Sequence, residues 1–336
     1  MNLQPQFSIK ANGNEVAERL RDRMVEVRVS LKTGLQSDAC YVRFDNLGTA
    51  PIQNPKPTDI VEIAMGYKNG AADKAAKLIP LGSFEVGEYS VSGPIRSLEL
   101  FGNKVLWHTG LKAPKQKSWP ADPNTPQKLG DLVSDIASEH GLDPKVGAQF
   151  SAIELPHIEQ SESDLQLLSK LAEQYDAILK IAHDKLIFMG RGTGKSLSGK
   201  PLKEVDIDVS QILSWHFMED AYRTVGEVKA YFYDMNEALR KPVTAGSGQP
   251  AIVLPYVYAN EAYATQAAKG KHERLNRAAK SIRAKVIGDP AIGAGAVVNL
   301  IGTGTLADGK WYVSEVDHII NSEGFASDLL CEQVSS

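Results

Sequence analysis

The sequence predicts an α+β chain that is mainly β, with two β regions separated and interrupted by helix-containing segments. Three observations predict it. Short runs near both ends alternate apolar with polar residues, and two central stretches place apolar residues at helical spacing. Loops rich in Pro, Gly, Lys and Ser stand between these patterns. A chain of 336 residues has room for two or three domains, each with its own core.

In chain order, Glu26–Ser30, Cys40–Phe44, Asp59–Gly66, Leu81–Val86 and Arg96–Leu100 read as half-buried strands closed by turn residues, so 1–110 is expected to be a barrel or a sandwich. The stretch 112–124 (Pro114, Pro120, Pro123 among Lys, Ser and Asp) resists regular structure and reads as a boundary. Behind Pro126, Leu129, Leu132, Val133, Ile136 and Ala137 share one helix face, and Gly141 suits a helix C-terminus. A second helix is expected from Ser161 or Ser163, where Ser161-x-x-Asp164 resembles a capping box; Leu165, Leu168, Leu171, Ala172 and Tyr175 form its stripe. Ala177–Ile181 and Lys185–Met189 then form a hairpin about His183-Asp184, which makes 111–200 an inserted α+β domain.

Strands return at Val205–Val209 and from Thr224 to Tyr233. Arg240–Gln249 reads as a polar turn region around Gly246-Ser-Gly248, and Asn260–Arg283 as a helix. The last strands are Ala296–Leu300, Lys310–Val316 and Ala326–Cys331. A second β domain is therefore expected from 201–233 and 284–336, with 234–283 as an insertion carrying a loop and a basic helix. Gly82-Ser-Phe84-Glu-Val86 and Gly309-Lys-Trp311-Tyr-Val313 follow comparable strands ending in Gly66 and Gly302. The pattern fits either coincidence or two related β domains, the spacing between the paired glycines being 16 positions in one and 7 in the other.

Composition excludes several classes. Lys plus Arg at 37 against Asp plus Glu at 41 gives a net charge of -4, unlike a protein that coats nucleic acid. Apolar runs are too short for a membrane helix and Met1–Lys10 lacks a signal-peptide pattern, so a soluble protein without membrane insertion is expected. Cys40 and Cys331 form no CxxC pair, which points away from disulfide or thiolate-zinc frameworks and toward a reducing compartment.

Candidate chemistry is sparse. Gly190–Ser196 ends like a phosphate loop, but Met189 stands where the first Gly belongs, and Ser198 stands where a Gly-x-Ser-x-Gly elbow needs Gly. The seven histidines are scattered and assemble no metal site; His157 and His318 read as hydrogen-bonded core or interface residues. Asp131 with Asp135, and Asp206 with Asp208, read as solvated pairs, and no catalytic residue or cofactor site is expected. Residues 260–285 carry seven Lys or Arg against two Glu, a solvated face or one that meets DNA, a membrane surface or an acidic partner. Gly130-Asp131 to Ile136-Ala137 and Gly141-Leu142 resembles the opening of a LysM peptidoglycan-binding module, with a purely structural helix as the alternative.

The run Ile158-Glu-Gln-Ser-Glu162-Ser163-Asp164-Leu-Gln-Leu-Leu168-Ser-Lys-Leu171-Ala172-Glu-Gln-Tyr175 is similar to a signature of the late control gene D proteins of contractile-tailed phages. These are tail baseplate hub proteins related to the base of VgrG spikes. Glu159, Leu167 and Lys170 depart conservatively from the family's Gln, aromatic and Arg. Trp119 in Lys117-Ser-Trp, and Trp311 and His318 in Trp-x-Val-x-x-Val-x-His, support the likeness, which spans nearly the whole chain. The resemblance implies two related β-barrel tube domains and a structural, non-enzymatic role without cofactors. It implies a homotrimer, whose six tube domains would adapt the six-fold tail tube to the three-fold spike in a virion tail baseplate assembled in the host cytoplasm. The spike, the tail tube and other baseplate proteins are its implied partners, and DNA would pass the ring without specific binding. Cys40–Phe44 and Ala326–Cys331 are then expected as edge strands that pair across protomers, and no lytic domain is expected after the last strand.

Overall fold

Alternating apolar residues build one long sheet from both β regions. In this computed structural model, the described residues are 3–34, 37–47, 52–69, 77–94, 96–104, 109–120, 125–182, 185–192, 204–220, 222, 224–304 and 306–334. The first region holds β1 (Leu3–Ala11), β2 (Asn14–Glu15), a short helix α1 (Ala17–Leu20), β3 (Met24–Lys32), β4 (Ala39–Asp45), β5 (Ile60–Asn69), β6 (Lys77–Ser92) and β7 (Ser97–Lys104). Every second residue of the central strands (Val27, Val29, Val42, Phe44, Leu98, Leu100) enters a common core.

The middle holds β8 (Lys117–Trp119), β9 (Gln127–Lys128), α2 (Leu129–Glu139), β10 (Asp143–Val146), α3 (Ala148–Ser151), β11 (Glu154–Leu155), β12 (Ile158–Gln160), α4 (Asp164–Gln174), β13 (Ala177–Ala182) and β14 (Lys185–Gly190). Both helices lie where the periodicity places them and pack their stripes into a separate core. The hairpin also forms, from Ala177↔Gly190 to Ala182↔Lys185; its turn, His183-Asp184, lies outside the described residues. The boundary stretch is not wholly irregular. Lys117–Trp119 pairs antiparallel with Ile158–Gln160, because Trp119 buries its ring in the middle core.

The last part holds β15 (Val205–Asp208), β16 (Ile212–Glu219), β17 (Glu227–Asp234), β18 (Leu239–Gly246), β19 (Ala251–Tyr258), α5 (Glu261–Ala279), β20 (Lys280–Ile287), β21 (Val297–Ile301), β22 (Gly309–Asn321) and β23 (Gly324–Gln333). Three expectations change here. Arg240–Gln249 is no turn region: Leu239–Gly246 is a strand paired along its length with β17. The strand from 224 to 233 joins β18 and β19 in a small three-stranded sheet under α5, not the long sheet. The helix stops at Ala279 rather than Arg283, since Ile282, Ala284 and Val286 alternate into the core of a strand held by β16 and β23.

The long sheet follows the order β16-β20-β23-β22-β3-β4-β7-β6-β5-β1-β2. Its seam is β22 against β3, from Glu315↔Lys32 to Asn321↔Glu26, and it fuses the two β regions. The fold is mainly β, and among the described residues the sheet is an open path rather than a closed barrel. Cys40–Phe44 and Ala326–Cys331 are not edges. β4 lies between β3 and β7, and β23 between β20 and β22, because each carries core residues that need sheet neighbours on both sides.

Candidate functional site

The signature run organises a polar knot at the start of α4. Ser163 caps the helix, its side chain accepting from the Gln166 amide at 3.2 Å; the expected box from Ser161 is not the cap. Asp164, 1% exposed, accepts from Gln160 Nε2 at 2.9 Å and His140 Nε2 at 2.8 Å, and pairs with Lys115 Nζ at 2.7 Å. Burial pushes this carboxyl up, but hydrogen bonds from Lys115, Gln160 and His140 outweigh it and hold it below the usual carboxylate range. Gln160 is also the acceptor for the buried Trp119 Nε1 at 2.7 Å, and its amide donates to the Glu162 carbonyl at 2.9 Å. Lys117 Nζ sits 3.8 Å over the Trp119 ring and pairs with Glu139, while Glu162 pairs with Lys170 at 2.6 Å. Leu168, Leu171 and Ala172 point into the core beneath. The knot thus stitches residues 110–119 to β12 and α4 through a buried Asp whose oxygens are paired on several sides.

Trp311 and His318 lie elsewhere, so the signature residues form two groups rather than one site. Trp311 Nε1 donates to the Ala307 carbonyl at 2.8 Å, and its ring meets Phe217 edge-on at 6.0 Å. His318 is fully buried in β22. Its Nε2 donates to the Ile292 carbonyl at 3.0 Å, and Nδ1 accepts from Ser327 Oγ at 2.9 Å. Ser327 Oγ in turn accepts from the Asp289 amide at 3.0 Å, which ties the 288–292 turn to the sheet. Burial pushes the His318 pKa down to about 4, so the ring is neutral near pH 7.

Part of the basic stretch is consumed inside the chain. Arg277, 4% exposed, places Nη1 and Nη2 at 2.7 and 2.6 Å from the two Asp176 oxygens and Nε at 3.2 Å from Glu332. Arg274 pairs with Glu173 at 2.6 Å and Lys280 with Glu219 at 3.2 Å. Gly270 lets α5 approach closely: a Cβ there would stand 2.6 Å from the Gln174 carbonyl oxygen. The acidic neighbour of this helix is therefore the inserted segment of the same chain. In the LysM-like run, Leu132, Val133, Ile136 and Ala137 are core residues, and a Cβ on Gly130 would meet the Ser151 backbone at 2.8 Å. Asp131 and Asp135 are exposed on α2, Asp206 accepts from Asn299 at 2.8 Å and Asp208 caps a short turn. The described residues hold no cluster suited to a metal ion; His108, His183 and the phosphate-loop-like residues 193–196 lie outside them.

The remaining large feature is the outer face of the long sheet. Opposite the core, β20, β23, β22, β3, β4 and β7 present charges of both signs, with Asp317 of β22 directly opposite Asp328 of β23. Lys32 pairs with Glu315 at 3.0 Å, Arg28 with Glu26 at 2.8 Å and Arg43 with Glu99 at 3.6 Å. Arg283 and Lys285 continue this face on β20, beside Asp328 on β23.

A family model described as phage tail baseplate hub (GPD) matches residues 125–324. A probable baseplate hub protein of Escherichia phage 186 is 24% identical over an alignment covering 98% of this chain and 93% of the relative. The 43 kDa tail protein of prophage MuSo2 from Shewanella oneidensis shares the fold at a TM-score of 0.67 and 11% identity, over 98% of each chain. A chain of the Francisella PdpA–VgrG complex does so at 0.55 and 9% identity, covering 99% of this chain and 59% of that one.

Proposed function

The chain belongs to the phage tail baseplate hub (GPD) family, and from that premise we propose that three copies form a ring joining the six-fold tail tube to the three-fold spike in a virion tail baseplate. The observation that carries this reading is the β22–β3 seam, which makes each protomer one continuous stave with a core side and a charged side. In the ring, 1–110 and the strands from 201 onward that join the long sheet act as two tube domains, with 111–200 and the α5 insertion outside. The charged side lines the lumen. Its mixed signs offer passing DNA no strongly attractive wall, in keeping with transit rather than binding. The role proposed is structural, supported by relatives named as probable baseplate hub proteins. Peptidoglycan binding is disfavoured because the LysM-like run spends its apolar residues and its Gly on internal packing.

Light scattering after size exclusion tests the reading. A mass near three times 36.5 kDa, with ring-shaped particles in electron micrographs, is expected. A monomer that stays monomeric when a candidate spike and tube protein are added overturns it.

A further inference from the structure

The small sheet packed on α5 keeps its other face bare. In the order β18-β17-β19, its inner residues Val228, Ala230, Phe232 and Leu254 pack on Ala264, Ala267 and Ala268 of α5. Alternation sends the residues between them to the opposite face. There Tyr231 stands between Pro242 of β18 and Val257 of β19, Tyr233 stands beside Arg240, and Lys229 beside Val253. Tyr233, Val253 and Val257 are 44%, 55% and 50% exposed. A contiguous set of Tyr, Val, Pro and Arg has the make-up of an interface core rather than of a solvated surface.

The form of the sheet defines what covers this face. Each outer strand carries a proline, Pro242 or Pro255, as edge strands that discourage strand addition do, so a partner lies on the face instead of extending the sheet. Three strands measure roughly 10 Å between their outer axes, about one helix diameter. α5 alone covers the inner face, and a single helix matches the outer one. The Arg240 guanidinium lies 3.8 Å over the Tyr231 ring and has no carboxylate partner among the described residues, whereas Lys229 and Glu227 satisfy each other at 3.6 Å. A second copy has no such helix to offer. Among the described residues, α2 and α4 spend their apolar stripes in the middle core and α5 in this one, and α1 and α3 are four residues each.

We infer that this face docks an amphipathic helix of a different protein, with its apolar stripe on Tyr231, Tyr233, Val253 and Val257 and an Asp or Glu against Arg240. The small sheet then lies between two helices, and both of its apolar faces are covered. Stacking on Tyr231 fixes the plane of the guanidinium, so its unused N–H groups are pre-organised for a carboxylate. The contact uses neither the long sheet nor its seam, and it rests on the hub reading only for the choice of partners to try.

The test uses the full chain with the photo-label p-benzoylphenylalanine in place of Val253, co-expressed with the tail and baseplate proteins encoded beside it and irradiated. The expected adduct joins one different protein, at a peptide with apolar residues at i, i+3, i+4 and i+7 and an acidic residue among them. Arg240→Glu, at an exposed position, should cut the adduct about tenfold or more without changing the far-ultraviolet circular dichroism, and reversing the acid on the other protein to Lys should restore it. The same label in place of Lys269, exposed on α5, is the control. An adduct to another copy of this chain overturns the different protein, and one to a strand or a basic segment overturns the acidic helix. No adduct above the Lys269 control overturns the docking face. Light scattering of Arg240→Glu reads the hub proposal separately, since its mass should match that of the unaltered chain whichever way the adducts fall.

Discussion

Removing Arg277 should loosen the chain at one identifiable corner. Its guanidinium lies between Asp176, which follows α4, and Glu332 near the end of β23, while its own backbone belongs to α5, so one side chain clamps three segments. Burial disfavours its charge, but Asp176 and Glu332 outweigh that and raise its pKa. Arg277→Met keeps much of the volume but leaves Asp176 buried without its counter-charge, which costs about 3–5 kcal/mol, or roughly a hundred- to several-thousand-fold in the opening equilibrium. Asp176→Asn is the matched partner, because Asp176 adopts φ 48° and Asn tolerates that left-handed backbone. Urea unfolding of both single variants and the double variant gives a coupling energy, expected at about 2–3 kcal/mol. Hydrogen exchange should localise the loss to residues 173–178, the last turn of α5 and the end of β23. Additivity within about 0.5 kcal/mol, or protection lost evenly over the sheet, would refute the clamp.

Because the His318 pKa is about 4 when folded and near 6.5 when unfolded, the unfolded chain takes up a proton first; stability should fall by about 3 kcal/mol between pH 6.5 and 4, and His318→Gln should flatten that slope in urea midpoints. Asp164→Asn should cost about 2–4 kcal/mol, since Lys115 and His140 lose their shared carboxylate, and thermal melting at neutral pH should show it. The same carboxyl titrates below its unfolded value, so its contribution is present above pH 4 and lost as pH drops through the lower folded value. Gly270→Ala should destabilise by about 1–3 kcal/mol, seen as a lower urea midpoint, because the new methyl meets the Gln174 carbonyl.

Much of this architecture is legible in the sequence where one physical signal dominates. α2 and α4 announce themselves because their stripes are complete, and Val205–Asp208 because its alternation is strict. β16 escapes notice since it buries little on either side, so alternation between wet and dry has nothing to act on. β1 escapes because only Phe7 and Ile9 mark its buried face, and it is fixed by β5 instead. α5 appears too long because Ile282 prolongs its stripe, although that residue belongs to a strand. The signature is visible as a run, but its meaning is not: Asp164 draws Lys115 and His140 from outside the run, and Arg277 meets Asp176 across 101 positions. Gln160, which joins Trp119 to Asp164, sits one position after Glu159, where the likeness leads one to look for the amide.

The β22–β3 seam also sets a timetable for synthesis. Thr33 waits for Ser314, 281 positions later, and at roughly 5–20 residues per second the ribosome needs roughly 15–60 s to deliver it. Until then β3 shows a bare flank to solvent, on a nascent chain whose siblings emerge from the same messenger carrying the same flank. Zipping the seam ends that exposure.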